Sequence, residues 1–210
     1  MRASEINAGD YVQFYQKAWP GAWLTGRVLQ VWQSLGEPQY FLIELLEPFR
    51  AERDRWIRVS PDHVDIKLMP PPLFCAGDRQ RELRETLRAA KPSSHKLQRA
   101  TRGDSSNWDA AAALKQLSIL LKAIKRIRQL LPPETPGMYL KSWQRAEELA
   151  TCLRETIFSS IIAPLPQNVD RRRSQFRCHL RKAVSQTDAG LTLGAVLTVI
   201  DLSKHVETSM

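Results

Sequence analysis

The run Trp108–Leu131, WDAAAALKQLSILLKAIKRIRQLL, decides the fold. Leu114, Leu117, Leu121 and Ile124 recur at steps of three and four, with Leu120, Ile127 and Leu131 beside them. That spacing is the apolar face of an amphipathic helix. Asn107 is a candidate cap, and Pro132-Pro133 stop the helix. The other face is basic: Lys115, Lys122 and Arg126 share one stripe, with Lys125 and Arg128 next to it. The run therefore demands a core on one side and presents positive surface on the other.

Downstream, the same period continues. Tyr139, Trp143, Ala146, Ala150, Leu153, Ile157 and Ile161 define a second helix over 138–162, and the short PPETPG connection makes it an antiparallel neighbour. Pro164 and Pro166 end it. In NVDRRRSQFRCHLRKAVSQT, Phe176, Leu180 and Val184 form the apolar stripe, with Asn168 or Asp170 as cap. This is the most basic window of the chain, with Arg171, Arg172, Arg173, Arg177, Arg181 and Lys182. Three arginines in a first turn oppose the helix dipole, and a broken local rule often marks function. Arginine also suits phosphate through its two-pronged fork. A last helix follows, with Leu193, Val196, Leu197 and Ile200 inward and Gly190 and Gly194 permitting close approach. Residues 108–210 thus read as a bundle of about four helices.

Upstream, MPPPL at 69–73 reads as a stiff linker. Asp78 can cap a short helix to Ala90, with Leu83, Leu87 and Ala90 on one face. Its Arg81, Arg84 and Arg88 interleave with Glu82 and Glu85, as on a solvated face laced with intrahelical ion pairs. Residues 91–107, KPSSHKLQRATRGDSSN, lack periodicity and read as a flexible arm. Arg99 and Arg102 on that arm would be free to reach phosphates or a groove.

Residues 6–68 change character. Short runs rich in β-branched and aromatic residues alternate with turn chemistry: Gly9-Asp10, Pro20-Gly21, Gly36-Glu37-Pro38 and the charged RAERD at 50–54. About five strands in some sixty residues imply a small, strongly bent barrel. The motifs G-D-Y-V at 9–12, G-A-W-L-T-G-R-V-L at 21–29, Y-F-L-I-E at 40–44 and R-W-I-R-V-S-P-D-H-V at 55–64 resemble the Tudor/Agenet group of small barrels. The resemblance covers the first third of the chain. It implies a module that binds peptides or nucleic acid, and a cage for a methylated cation. Tyr11, Trp19, Trp23 and Tyr40 are the candidate cage residues. Against that stands the need of a small barrel for large side chains, which places most of these rings in the core.

The fold class expected is therefore α+β, an N-terminal barrel at 1–70, a linker, helix and arm at 71–107, and a basic bundle at 108–210. Charge follows the same division. Residues 1–70 hold 8 Lys/Arg against 9 Asp/Glu; 71–107 hold 8 against 4; 108–210 hold 15 against 9. The net charge of +9 favours polyanionic partners. Three unpatterned cysteines, Cys75, Cys152 and Cys178, fit a reducing compartment. The first residues lack the apolar core of a signal peptide, and Ala183–Ile200 reads as too polar for a membrane span. The expectation is a soluble intracellular protein, cytoplasmic or at the nucleoid or nucleus, without a membrane partner.

No chemistry is announced. His63, His95, His179 and His205 are scattered, and adjacent Cys178-His179 point about 100° apart on a helix, a buried thiol beside a surface imidazole. No nucleophile elbow, phosphate loop or carboxylate pair is present, so neither enzyme activity, metal nor cofactor is expected. Three functions remain. The first is non-enzymatic binding of nucleic acid, DNA or RNA, with little sequence selectivity, through Arg171–Arg173, Arg177, Arg181, Lys182, the Lys115/Lys122/Arg126 stripe and the Arg99/Arg102 arm. The second is an adaptor that docks an acidic protein partner. The third is a reader of methylated lysine or arginine.

Overall fold

The structure, a computed structural model, describes residues 5–16, 23–46, 56–162 and 164–207. Trp19, the Pro20-Gly21 turn and the charged turn at 50–54 lie outside the described residues. The fold is α+β: a five-stranded antiparallel sheet followed by four helices. The chain divides into two compact units, Met1–Pro72 with Thr192–Met210, and Leu73–Leu191.

The sheet comprises β1 (Tyr11–Gln16), β2 (Trp23–Ser34), β3 (Glu37–Leu45), β4 (Trp56–Val59) and β5 (Val64–Met69) in the order β4-β3-β2-β1-β5. It is open, with β4 and β5 as edges, where the sequence implied a closed barrel. Alternation decides which side chains enter the core. Val12 and Phe14, Val28, Phe41 and Ile43, Val59 and Val64 lie on the inner face with Ile6, and all are buried. Register shifts after Val28 and after Trp32 mark bulges that bend the long β2. The β2–β3 hairpin turns at Leu35-Gly36, where φ is 53° and 82°, the paired left-handed conformations a tight hairpin requires. Pro38, expected in that turn, sits in β3 opposite Gln33.

Gly26 lies where β2 and β3 approach closely. A Cβ there would lie 2.3 Å from Ile43 Cγ2 and 2.7 Å from the Glu44 carbonyl oxygen. The second neighbour is backbone and cannot rotate away. Gly26→Ala is expected to destabilise the sheet unit by about 1–3 kcal/mol. Hydrogen exchange of the β2 and β3 amides is the check; unchanged protection would contradict the close approach.

The second unit is a four-helix bundle. Its helices are α1 (Gly77–Ala100), α2 (Ala110–Leu130), α3 (Gly137–Ser159) and the first part of α4 (Val169–Glu207). Neighbours are antiparallel. Glu82 meets Arg126, Arg128 meets Glu147, and Ser142 Oγ donates to Gln186 Oε1 at 2.7 Å. The bundle closes through α1 and α4: the Leu73 amide donates to the Gly190 carbonyl at 2.8 Å, and Arg173 donates to the Thr101 carbonyl. The core holds Leu117, Leu120, Ile124 and Ile127 of α2, Tyr139, Trp143, Ala146, Ala150, Leu153 and Ile157 of α3, and Phe176 and Leu180 of α4.

Several local expectations change. Residues 91–100 are helix, not arm. Ser93 and Leu97 extend the buried stripe begun by Leu83, Leu87 and Ala90, and this burial outweighs the breaking tendency of Pro92, which sits exposed in the helix interior. Asp109 rather than Asn107 caps α2, its carboxylate accepting the Ala112 amide at 2.9 Å. No side chain caps α1, where Asp78 stands in the first turn. Ile161 falls beyond the end of α3 and is exposed. The two expected C-terminal helices are one helix of 39 residues. By length and composition α4 is apolar enough to cross a membrane, unlike the reading of 183–200 as too polar; a core helix of a soluble protein passes the same test.

Tyr139 gives the bundle a pH signature. Burial raises its phenol above the ordinary tyrosine value. The unfolded chain therefore ionises this group at about pH 10 while the folded chain holds it neutral. Its contribution is complete below pH 10 and is lost as pH rises through the folded value. Alkaline denaturation of Tyr139→Phe is expected to show a shallower loss of stability above pH 10 than the wild type.

Candidate nucleic-acid interface

The arginines of the first turn of α4 divide by direction. Arg173 turns inward, its side chain 19% exposed. Its Nη1 donates to the Thr101 carbonyl at the end of α1, its Nη2 lies 3.1 Å from Asp170, and its guanidinium is 5.0 Å from the Trp108 ring centroid. Arg172 donates from Nη1 to Thr156 Oγ1 of α3 at 2.6 Å. Two of the three residues that oppose the helix dipole thus tie α4 to its neighbours, and this packing is the gain that offsets the dipole. Arg173 is a structural tie and not an open phosphate ligand. Arg171, Arg181 and Lys182 are exposed and Arg177 is half-buried. Arg177, Arg181 and Lys182 line a shallow depression of about 490 Å³ with Ser174, Cys178 and Ser185. Cys178 is exposed there, where a buried thiol was expected, and His179 is half-buried.

On α2, Lys115 and Lys122 are exposed. Arg126 is taken by Glu82 of α1, to which both Nε and Nη2 donate, and by Gln129. The expected three-residue stripe is therefore two lysines.

The longest basic feature is on α1, and sequence reasoning misses it. At 100° per residue, Arg81, Arg84, Arg88, Lys91, His95 and Arg99 fall within an arc of roughly 80°, spread over roughly 27 Å of helix. The arc faces away from the buried stripe of Leu83, Leu87, Ala90, Ser93 and Leu97. Arg102, just past the helix, lines one recess of about 350 Å³ with His95, Gln98 and Arg99. Arg81 pairs with Asp78 at 3.1 Å, an exposed contact of little strength. Glu82 is turned to α2 and Glu85 flanks the arc, so the expected lacing of ion pairs is reduced to that one. Among the described residues no carboxylate pairs with Arg84, Arg88, Lys91, Arg99 or Arg102. Arg99 and Arg102 belong to a fixed ridge instead of a mobile arm. The sequence does carry a signal for it: the apolar spacing 83, 87, 90 continues to 97 with only a serine between.

The cage residues do not converge. Trp19 lies outside the described residues. Tyr11 is opposite Arg27, Trp23 opposite Tyr15, and Tyr40 opposite Trp32. Trp23 and Trp32 stand nine positions apart on β2, roughly 30 Å along the strand. Nor are these rings in the core. Trp23 is 43% exposed and Tyr40 39%, and Tyr11 is half-buried. Strand alternation places them on the face opposite Val12, Phe14 and Phe41. Each exposed ring already has a cation of this chain against it: Arg58 stands 3.8 Å from the Tyr40 centroid and Lys67 stands 4.5 Å from that of Trp23.

Among the described residues no three of His, Cys, Asp or Glu come together as a metal site. No family model, no curated protein and no solved structure matches this chain.

Proposed function

We propose that this protein binds nucleic acid through phosphate contacts and does so without catalysing a reaction on it. The observation that carries the reading is the ridge of α1. Four cations without a carboxylate partner among the described residues, Arg84, Arg88, Lys91 and Arg99, are held in line on a rigid helix, and Arg102 follows just past its end. A line of fixed cations is complementary to a line of phosphates, and releasing counterions from that line supplies affinity without sequence choice. Arg171, Arg177, Arg181 and Lys182 of α4 and Lys115 and Lys122 of α2 add to the same positive unit. Arg126 and Arg173 do not, because each is engaged within the bundle.

A second reading, compatible with the first, is an adaptor that docks an acidic protein. The exposed apolar group Phe158, Ile161 and Ile162 at the end of α3 favours it.

Fluorescence anisotropy with short DNA and RNA, duplex and single-stranded, across a salt series tests the proposal. If five phosphates are contacted, log K is expected to fall with log salt at a slope of about −4 to −5. Absence of binding at low salt overturns the proposal, and capture of an acidic protein would then support the adaptor.

A further inference from the structure

We propose that the outer face of the sheet is a stacking surface for the bases of an unpaired nucleic-acid strand. The inference builds on the nucleic-acid reading and extends it to a second site of different chemistry.

Pairing register puts Trp32 of β2 directly opposite Tyr40 of β3, and Leu42 opposite Arg58 of β4. Their inner-face counterparts Val31, Phe41, Ile57 and Val59 pack in the sheet core. Trp32, Tyr40, Arg58 and Trp56 therefore share the outer face. Trp56 is 65% exposed, and Trp32 and Tyr40 each keep more than a third of their surface open. Leu35, fully exposed at the hairpin turn, continues the apolar surface at one end. Rings of this size are costly to leave in water, and a contiguous group of them marks a contact surface.

The occupant is chosen by what already touches the rings. The Arg58 guanidinium lies 3.8 Å from the Tyr40 centroid and 5.6 Å from that of Trp32. Towards the other end of the sheet, Lys67 lies 4.5 Å from the Trp23 centroid, and Tyr15 packs on Trp23 at 5.7 Å. A methylated cation would meet rings filled by the protein's own cations, with like charge beside them. A nucleic-acid strand meets the reverse. Its phosphates match Arg58 and Lys67, and its flat bases can stack on an indole, a phenol or a guanidinium plane. Trp56 and Arg58 are two residues apart on one face of one strand, roughly 6.6 Å, so successive planar groups are offered along the sheet. Among the described residues, Glu44, opposite Trp56 and opposite Arg27, is the carboxylate nearest this group by register.

The test uses the full chain and three fluorescent probes of equal length: a single-stranded oligothymidine, the same backbone without bases, and a duplex. Wild type is expected to bind the oligothymidine roughly 10- to 100-fold more tightly than the abasic strand. Trp56→Ala and Trp32→Ala are each expected to weaken oligothymidine binding by roughly 5- to 10-fold and to leave abasic and duplex binding unchanged. Trp56→Phe is expected to recover most of the loss, which separates stacking from folding. Equal affinity for oligothymidine and abasic strand overturns the inference while leaving the phosphate-binding proposal standing. Base-dependent binding with no abasic or duplex binding supports the inference and overturns the α1 ridge. Displacement of oligothymidine by a trimethyl-lysine peptide makes the face a peptide reader and overturns the inference.

Discussion

Trp143→Ala is expected to cost the bundle about 3–5 kcal/mol, the range for deleting a fully buried tryptophan. Trp143 has no exposed surface and stands about two turns into α3. Its indole reaches α4, where Nε1 donates to Thr187 Oγ1 at 2.8 Å; Thr187 in turn donates to the Ala183 carbonyl at 2.8 Å. The substitution removes a large side chain and leaves a cavity between two helices that neighbours can fill only in part. It also removes a donor from a buried hydroxyl, although that hydroxyl keeps its own acceptor. Trp143→Phe isolates the polar part: it keeps most of the volume and loses the hydrogen bond, for an expected cost of about 1–2 kcal/mol. Because a small unit is stable by only about 5–15 kcal/mol, the alanine variant should melt far below the wild type. Urea denaturation followed by helical circular dichroism measures both. A cost below about 1 kcal/mol for the alanine variant would contradict the burial of this residue.

The second large effect is on binding. Changing Arg84, Arg88, Lys91, Arg99 and Arg102 to glutamine removes the part of the ridge that has no carboxylate partner among the described residues. Each phosphate left without its cation should flatten the salt slope by about 0.9, so the slope should fall towards zero. Affinity at about 0.1 M salt should drop by roughly 10²- to 10³-fold. Arg88, Lys91, Arg99 and Arg102 are exposed and Arg84 is half-buried, so stability should change by less than about 1 kcal/mol. Arg177, Arg181 and Lys182 changed to glutamine provide the comparison. If that variant loses binding and the ridge variant does not, the interface is the α4 depression. Arg173→Ala behaves differently in kind: it should lower stability, because it unties α4 from Thr101 and leaves that carbonyl without the guanidinium.

Where one apolar stripe dominates, as in 117–131 or in Trp143–Ile157, the sequence is sufficient, because burial of that stripe is the main stabilising effect. The same period also finds Phe176 and Leu180. The second half of α1 is hidden because proline and serine are local breakers, whereas the tertiary stripe through Ala90 and Leu97 is not local. Gly190 and Gly194 hide the continuity of α4 for the same reason; both are buried within it. For the sheet, strand positions are legible but sides are not. Period-two alternation around Phe41 puts Tyr40 outside, whereas filling a closed barrel would draw it in. The sheet is open, and smaller side chains fill its inner face. At the candidate interface, residue type misleads most. Arg126 and Arg173 carry the charge that phosphate needs, yet Glu82 and Thr101 hold them, and those partners lie 44 and 72 positions away.

The division of the chain also has a consequence for the order of its making. Leu73–Leu191 is continuous, whereas the sheet unit joins Met1–Pro72 to Thr192–Met210. Domains commonly complete themselves from the N-terminus as the chain emerges from the ribosome. Here the buried core of the sheet runs from Ile6 to Val64 and is encoded ahead of the bundle, so it can form first. While the bundle is still being made, the unpaired edges of β4 and β5 stand open to other nascent chains. A slow-translating stretch inside 73–191 would lengthen the time those edges stay open, and aggregation during synthesis would rise with it.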